Sequence, residues 1–551
     1  MPECRAAVPR SGLAIVVSLQ LAALVTVCLL VGDNGWDDGA ITLAFSRTFA
    51  GSGLVALTPY SETVEGFSSV SWFLLNAVAA LGRPSYGAAI LVSQILAAIV
   101  ICASTVLLAR TCALLRLDRL FSTLTVLAFA VWGCGFSEAS NGMEMGLLAV
   151  AFLVMINELL APQPRLLLLG AGVALAVTTR FESLFCVALL AASVASIPGR
   201  RAFWGIVTAC LGTVALLTAW RLAVFSDVLP NTFWAKRWPP YAAFHLPGRL
   251  RGALQLPSLF LAPLIALGIA RLSGFRFGGA LRTRGPVVLI LAAPVLGAVL
   301  LGGLIGKPWG YYGRMSYFAV PPALLLVSLA LSAWVDARRG RPRVIAVAAL
   351  YAATIGVSMI GFPSGSLAAA FKGGSFGVTP HTYAESGRIF RRVAAAADLR
   401  RPSILTPDVG GLALCCDEFR VVDLAMLSNR RLARQGPGSL AEVLDTESPD
   451  IVEAHWDWAS AGNLYDLPYF RAHYVPALVG GTKLWIRSDV ARTIDGKGRG
   501  CSLATDRQDV RQALRTHRYA NHDLPADRSA FERSPAVLAL RADPATPALC
   551  P

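Results

Sequence analysis

Two adjacent carboxylates follow the first long apolar run of the chain. Asp37 and Asp38 lie a few residues beyond the run Ser11–Val31, which at about 20 residues is long enough to cross a bilayer core. A carboxylate in such a place can act as a general base that takes a proton from an attacking hydroxyl group. Charges so close to hydrocarbon are costly, and they usually mark a site that uses them. The alternative is that both are solvated loop residues that end the helix.

Other charged and aromatic residues that suit a sugar phosphate lie in later polar segments. Aromatic faces can cover a sugar ring, and Lys and Arg can hold a phosphate group. Each candidate also has a structural interpretation: a helix-terminal or capping acid, an ion pair, or an aromatic residue at the membrane interface. The candidate residues are Glu65, Glu144, Arg180, Glu182, Asn231, Trp234, Lys236, Tyr312, Arg314 and Asp408.

The composition is that of a polytopic membrane protein. The 551 residues are 55% hydrophobic and only 15% charged, with a mean hydropathy of +0.57. Soluble globular proteins contain about 25% charged residues. The net charge of +15 does not indicate nucleic-acid binding, because much of the Arg lies in short loops between apolar runs.

We count about eleven apolar runs that could span a membrane. They are 11–31, 86–109, 119–135, 145–161, 166–178, 183–197, 203–224, 255–272, 286–305, 317–335 and 343–361. Every second loop is basic, as cytoplasmic loops are. An odd number of spans with a cytoplasmic N-terminus predicts an extracytoplasmic C-terminal domain. The bacterial cytoplasmic membrane is the expected location.

The chain divides into a transmembrane domain, 1–361, and a C-terminal α/β domain, 362–551, with a polar tail. The first outer loop, 32–85, contains two expected amphipathic helices, Gly39–Ala50 and Val70–Leu81, that could lie at the membrane interface. Strand-length runs alternate with helical stretches in the second domain. The predicted strands are Ser403–Thr406, Phe419–Val422, Asp450–Val452 and Lys483–Ile486.

Cysteines in the C-terminal domain allow more than one pairing. In an oxidising compartment, Cys501 and Cys550 could form a disulfide that closes the polar tail. A bond from either of them to Cys415 or Cys416 is the alternative, as are four free thiols. No C-x-x-C metal spacing occurs in the sequence.

Several segments taken in order resemble the GT-C superfamily of polyprenyl-phosphate-sugar-dependent glycosyltransferases. The likeness is greatest to the branch of mycobacterial terminal arabinofuranosyltransferases and related bacterial arabinosyltransferases. The segments are Asp37-Asp38-Gly39-Ala40-Ile41-Thr42, Val64-Glu65-Gly66-Phe67-Ser68-Ser69, Asn141-Gly142-Met143-Glu144, Thr179-Arg180-Phe181-Glu182, Pro230-Asn231-Thr232-Phe233-Trp234-Ala235-Lys236, Asp408-Val409-Gly410 and Val422-Asp423-Leu424-Ala425-Met426-Leu427. Two departures concern the donor sugar. Ala40 replaces a usual Tyr, and Lys307–Arg314 lacks an Asp that often follows paired glycines.

The resemblance implies a catalytic acid at Asp37 or Asp38 and contacts to the donor phosphate from Arg180, Lys236 and Arg314. The implied reaction moves D-arabinofuranose from polyprenyl-phospho-arabinose to a cell-envelope glycan outside the cytoplasm. Another polyprenyl-phosphate sugar such as mannose, or a protein or lipid acceptor, is the alternative within this class. No cofactor follows from the residues, and a divalent cation at the two acids stays an open alternative. The expected partners are the lipid-linked donor, a glycan acceptor and the bilayer, without nucleic acid.

Two functions of other classes compete with the transferase. A transporter of lipid-linked sugars needs charged or polar residues inside its spans, whereas these charges gather at span ends. A non-catalytic glycan-binding subunit would tolerate the loss of both acids. The residues alone do not decide which of Asp37 and Asp38 is the base, nor whether the reaction retains or inverts the anomeric configuration.

Overall fold

The chain is mostly helical up to residue 371. Its computed structural model describes residues 9–195, 201–241, 246–272, 284–305, 311–336, 341–373, 377–454, 456–479 and 482–496. The helices in this first part are Arg10–Val31, Asp37–Ser52, Val70–Ala80, Tyr86–Leu114, Arg119–Ala130, Gly133–Ser140, Met145–Leu160, Leu166–Thr179, Ser183–Ala195, Arg201–Phe225, Asn231–Ala235, Leu246–Leu259, Leu261–Leu272, Gly285–Ile305, Val320–Asp336, Arg341–Ser358 and Ser364–Phe371. Short 3-10 turns occupy Arg314–Ala319 and Met359–Gly361.

Apolar helices confirm the predicted multi-pass membrane character. Seven helices within the described ranges are long and apolar enough to cross a membrane, or eight if the bent pair Leu246–Leu259 and Leu261–Ile269 forms one span. The predicted runs 145–161, 166–178 and 183–197 form shorter helices of 16, 14 and 13 residues. These are about 20–24 Å long, less than the roughly 30 Å of a bilayer core. The count of eleven spans therefore stays a prediction.

Both expected helices of the first outer loop are present, in different surroundings. The Asp37 helix, Asp37–Ser52, lies between the Val70 helix, Val70–Ala80, and the short Gly410 helix, Gly410–Cys415. Phe45, at the centre of the Asp37 helix, is fully buried and packs edge-on against Phe67 at 5.3 Å between ring centroids. The Val70 helix instead exposes a row of apolar side chains, Leu74, Leu75 and Val78. Only the Val70 helix therefore has a free apolar face suited to lipid.

The chain from residue 403 onward contains a mixed five-stranded sheet. The strands are β1 (Ser403–Thr406), β2 (Arg420–Asp423), β3 (Ile451–Val452), β4 (Tyr474–Val479) and β5 (Thr482–Arg487), in the order β2-β1-β3-β5-β4. β1 pairs in parallel with β2 and β3, whereas β5 pairs antiparallel with β3 and β4. The helices beside the sheet are Pro380–Ala396, Gly410–Cys415, Arg430–Gln435, Leu440–Glu447, Trp456–Ala461, Pro468–His473 and Ser488–Gly496.

Four of the strands coincide with the predicted runs, and β4 is additional. Pro476 lies inside β4, and a proline in an apolar run argues against a central strand because it donates no ladder hydrogen bond. The sheet resolves this conflict by placing β4 at its edge.

One of the buried hydrophobic clusters joins the sheet domain to the Asp37 helix. Leu43 and Phe45 of the Asp37 helix belong to the same buried cluster as Ile404 of β1 and Leu412 of the Gly410 helix. Cys415 and Cys416 are bonded to each other at the end of that helix. Cys501 and Cys550 lie outside the described residues, so their predicted pairing remains a prediction.

Candidate active site

Asp37 is a buried carboxylate that holds the sheet domain. Its Oδ2 accepts a hydrogen bond from the Gly410 N–H at 2.9 Å, and its Oδ1 accepts one from the Gly411 N–H at 2.7 Å. Burial, with a further contribution from the Asp408 charge, raises the pKa of Asp37 to about 8, although the two N–H groups oppose this shift. Asp37 thus ties the start of its own helix to the start of the Gly410 helix.

Asp38 has a different partner and is open to solvent. Its Oδ2 lies 2.5 Å from Nη1 of Arg314, and 45% of the Asp38 side chain is exposed, compared with 8% for Arg314. Within the described ranges, no three His, Cys, Asp or Glu side chains gather as metal ligands would. The two acids are held by separate partners, so they do not fit a divalent cation shared between them.

Arg180 is the second cationic residue of the site. Its Nη1 lies 2.9 Å from Oε1 of Glu144, and its Nη2 lies 3.3 Å from Oε1 of Glu182. The Arg180 and Glu144 side chains are almost fully buried, whereas 36% of the Glu182 side chain is exposed. The buried Nε of Arg180 has no hydrogen-bond partner in the part of the chain that the structure describes. One donor of this guanidinium is therefore unused by the described protein groups.

Lys236 completes a group of three cations. Its side chain reaches solvent, but partial desolvation by the surrounding protein lowers the pKa of Lys236, an effect that the Glu182 charge opposes. Although desolvation works against ionisation, Arg180 and Lys236 hold the pKa of Glu182 below its usual range. These mutual shifts require the charges to be close together. Asp38, Glu182 and Lys236 are the solvent-accessible members of this charged group, whereas Arg180 and Arg314 are buried.

Asn231 and Trp234 lie at the junction between the two parts of the chain. The Asn231 side-chain amide donates to the carbonyl oxygens of Met426 at 3.0 Å and Leu427 at 2.8 Å. Trp234 packs against the core cluster of the sheet domain, and Arg237 lies 5.4 Å from its ring centroid. Their described contacts are with protein groups that join the two domains.

The remaining candidates are distributed around this centre. Glu65 forms a buried ion pair with Arg221. The Tyr312 hydroxyl lies 2.5 Å from Oγ of Ser258. Asp408 follows β1, close enough to Asp37 to shift its pKa. Lys307 lies outside the described residues.

Three residues of this region were not among the sequence candidates: Arg221, Tyr311 and Glu138. The Tyr311 hydroxyl donates to Oε1 of Glu138 at 2.5 Å, and Glu138 lies at the end of the candidate span Arg119–Ser140. Arg221 lies within the span Arg201–Phe225. A charge within an apolar span is itself a sign of function, so Arg221 was the residue that sequence alone could have indicated.

Glycines allow the close approach of the segments that carry the acids. A Cβ on Gly39 would lie 2.0 Å from the Asn141 carbonyl oxygen, and one on Gly410 would lie 2.7 Å from Oδ2 of Asp37. The Asn141 side chain also accepts from the Trp36 N–H at 2.7 Å. The motif Asp37-Asp38-Gly39 therefore packs directly against the segment that leads to Glu144.

Comparisons with known proteins give only distant likeness to solved structures. No protein-family profile matches the chain, and no curated protein matches it. A solved structure of the arabinofuranosyltransferase AftD from Mycobacteria is similar to it, with a TM-score of 0.44 and 18% identity. The similarity covers 81% of this chain and 35% of that structure's chain. A likeness of this degree carries no argument about activity or substrate.

Proposed function

We propose that this chain is a polyprenyl-phosphate-dependent glycosyltransferase of the GT-C class. The proposed reaction moves a sugar, with D-arabinofuranose as the first candidate, to a cell-envelope glycan on the extracytoplasmic side. The observation that carries the proposal is the position of Asp38. It is a half-exposed carboxylate at the edge of an apolar helical bundle, held by one buried arginine and close to two further cations.

In this proposal, Asp38 is the general base. The acceptor hydroxyl loses its proton to the Asp38 carboxylate as its oxygen attacks the anomeric carbon of the donor. The contact with Arg314 fixes the orientation of the carboxylate while leaving almost half of the side chain exposed. Asp37 is only 4% exposed and each of its oxygens accepts a hydrogen bond from the Gly410 helix, so an acceptor hydroxyl reaches Asp38 instead. The role of Asp37 is to hold the sheet domain beside the base.

The cations serve the leaving group. When the bond between the anomeric carbon and the phosphate oxygen breaks, negative charge develops on the polyprenyl phosphate. Preorganised cations stabilise such charge strongly where protein excludes bulk water. Arg180 has an Nε that no described protein group uses, and the exposed residue Lys236 interacts electrostatically with Arg180 and Glu182. The exposed apolar side chains Leu74, Leu75 and Val78 of the Val70 helix suit the polyprenyl chain.

Replacement of the two acids tests the proposal. Purified protein receives a panel of polyprenyl-phosphate sugars with a glycan acceptor, and mass analysis identifies the product. Asp38→Asn should reduce transfer by roughly 100-fold or more, because a positioned base contributes that much. Donor binding should stay near the wild-type value.

Asp417→Asn is the matched control, since 60% of the Asp417 side chain is exposed and its contact with Arg47 of the Asp37 helix is long, at 3.9 Å. Its turnover should equal that of the wild type. Near-normal turnover in Asp38→Asn would refute the assignment of the base. The same panel separates arabinose from mannose and other donors.

A further inference from the structure

A buried ion pair lies behind the candidate site. Nε of Arg221 donates to Oε2 of Glu65 at 2.6 Å, and Nη2 donates to Oε1 at 2.9 Å. Each side chain is only 3% exposed. Glu65 comes from the first outer loop and Arg221 from the span Arg201–Phe225, so the pair joins two segments that are 156 residues apart in sequence.

Each partner of the pair also contacts a segment that carries charges of the site. The main-chain oxygen of Glu65 accepts a hydrogen bond from the Asn231 N–H at 3.1 Å. Asn231 begins the short helix Asn231–Ala235, which ends directly before Lys236. The Arg221 guanidinium carbon lies 5.3 Å from the ring centroid of Phe181, the residue between Arg180 and Glu182. The pair therefore contacts both the Lys236 segment and the Arg180–Glu182 turn.

Stability alone does not explain why ionic residues occupy this place. Two apolar side chains of similar volume often replace a buried ion pair without loss of stability. Apolar residues cannot reproduce the fixed geometry of a planar guanidinium. This group binds a carboxylate through two bonds and also lies over an aromatic ring. That geometry fixes the position of Phe181 relative to Glu65, and thereby the distance between Arg180 and Lys236.

We propose that the Glu65–Arg221 pair positions the phosphate-binding cations of the site. Both residues act through others, since their side chains contact each other and Phe181, and the Glu65 main chain contacts Asn231. The proposal rests on the proposed function, because it takes the ligand of Arg180 and Lys236 to be the phosphate group of a polyprenyl phosphate. Loss of the geometry should weaken the binding of that group even when the fold is intact.

The experiment removes both charges together and measures binding and folding separately. The double variant Glu65→Leu with Arg221→Met keeps the buried volume, so its melting temperature in detergent should stay close to that of the wild type. Its Kd for polyprenyl phosphate alone should rise about 10-fold or more, the effect of losing one good charged contact. Donor KM should rise by a similar factor, with a smaller change in kcat. Arg391→Met, which breaks the exposed Arg391–Glu418 pair, is the control and should change none of these values.

A double variant with normal melting temperature and normal polyprenyl phosphate affinity would overturn the proposal. If the double variant does not fold, Arg221→Lys takes its place, because it keeps the charge and loses the two-bond geometry. Unchanged affinity in that variant would likewise overturn the proposal. The two proposals fail separately: a wild-type chain that binds polyprenyl phosphate but transfers no sugar contradicts the transferase, whereas the effect of the pair on binding still stands.

Discussion

Asp37 and Asp38 differ in role because of their positions in one helix. They are its first two residues, and consecutive side chains point about 100° apart around a helix axis. One carboxylate therefore turns to the Gly410 helix and the other to Arg314 and the open space. The positive end of the helix dipole lies beside both acids and favours negative charge there. Under the proposed function, this pair of acids contains one structural and one chemical residue.

Lys236 is the residue through which donor binding can be tested most directly. Lys236→Ala should weaken donor binding by about 1.5–3 kcal/mol, the range for hydrogen bonds to charged groups. Lys236→Arg should keep most of the affinity, because the charge remains. Arg237→Ala is the neighbouring control, since Arg237 lies over the Trp234 ring at the domain junction. Equal donor affinity in Lys236→Ala and the wild type would place the phosphate elsewhere.

At the scale of elements, the site depends on how closely the Asp37 helix approaches its neighbours. The Trp36 N–H bonds to Asn141, and the Trp72 indole donates to the Gly142 carbonyl at 2.9 Å. These contacts hold both helices of the first outer loop against the turn before Glu144. Gly39 is the point of nearest approach, because any side chain there would meet the Asn141 main chain.

Two glycines of the Asp37 helix give a matched test of this packing. Gly39→Ala should lower the melting temperature and the transfer rate, because overpacking of a close contact costs about 1–3 kcal/mol. Gly51→Ala should leave both unchanged or raise stability slightly, since nothing lies within 4 Å of its added Cβ and alanine favours helix by about 0.5–1 kcal/mol. Equal melting temperatures for the two variants would show that the helix can move away from Asn141.

At the scale of the whole molecule, the placement of the site depends on which end of the bundle faces outward. Four charged residues of the site come from separate segments: Asp38, Arg180, Lys236 and Arg314. They meet at one end of the helical part, beside the sheet domain. The loops predicted to be basic and cytoplasmic carry none of these residues. This segregation agrees with one common side for the site and the sheet domain.

Reporter fusions test this arrangement. We expect fusions at Arg339 and Gly387 to report opposite sides of the membrane. Arg339 lies in a basic loop outside the described residues, and Gly387 lies in the helix Pro380–Ala396. An activity reporter that works only outside the cytoplasm should be active at Gly387 alone. Both fusions on one side would overturn the predicted orientation.

The sequence by itself determined the class of the fold and the segments that hold the site. Long apolar runs form helices in a membrane whatever their neighbours are, because unpaired backbone groups cannot remain in hydrocarbon. Four of the five strands could also be predicted from the sequence, because short apolar runs between polar segments are a local signal of buried strands. The candidate acids and cations were also visible, since charges next to apolar runs are rare enough to stand out.

Only the tertiary structure decided which of these residues act together. The partners of Asp38, Arg180 and Glu65 are 276, 36 and 156 residues distant in sequence, and such pairs form only when the segments pack. Asn231 had the residue type of a sugar ligand, but packing directs its side-chain amide to carbonyl groups of the sheet domain. The different partners of Asp37 and Asp38 likewise depend on what lies on each side of their helix. Local composition fixes where a charge lies along the chain, whereas the packing of distant segments fixes what that charge can reach.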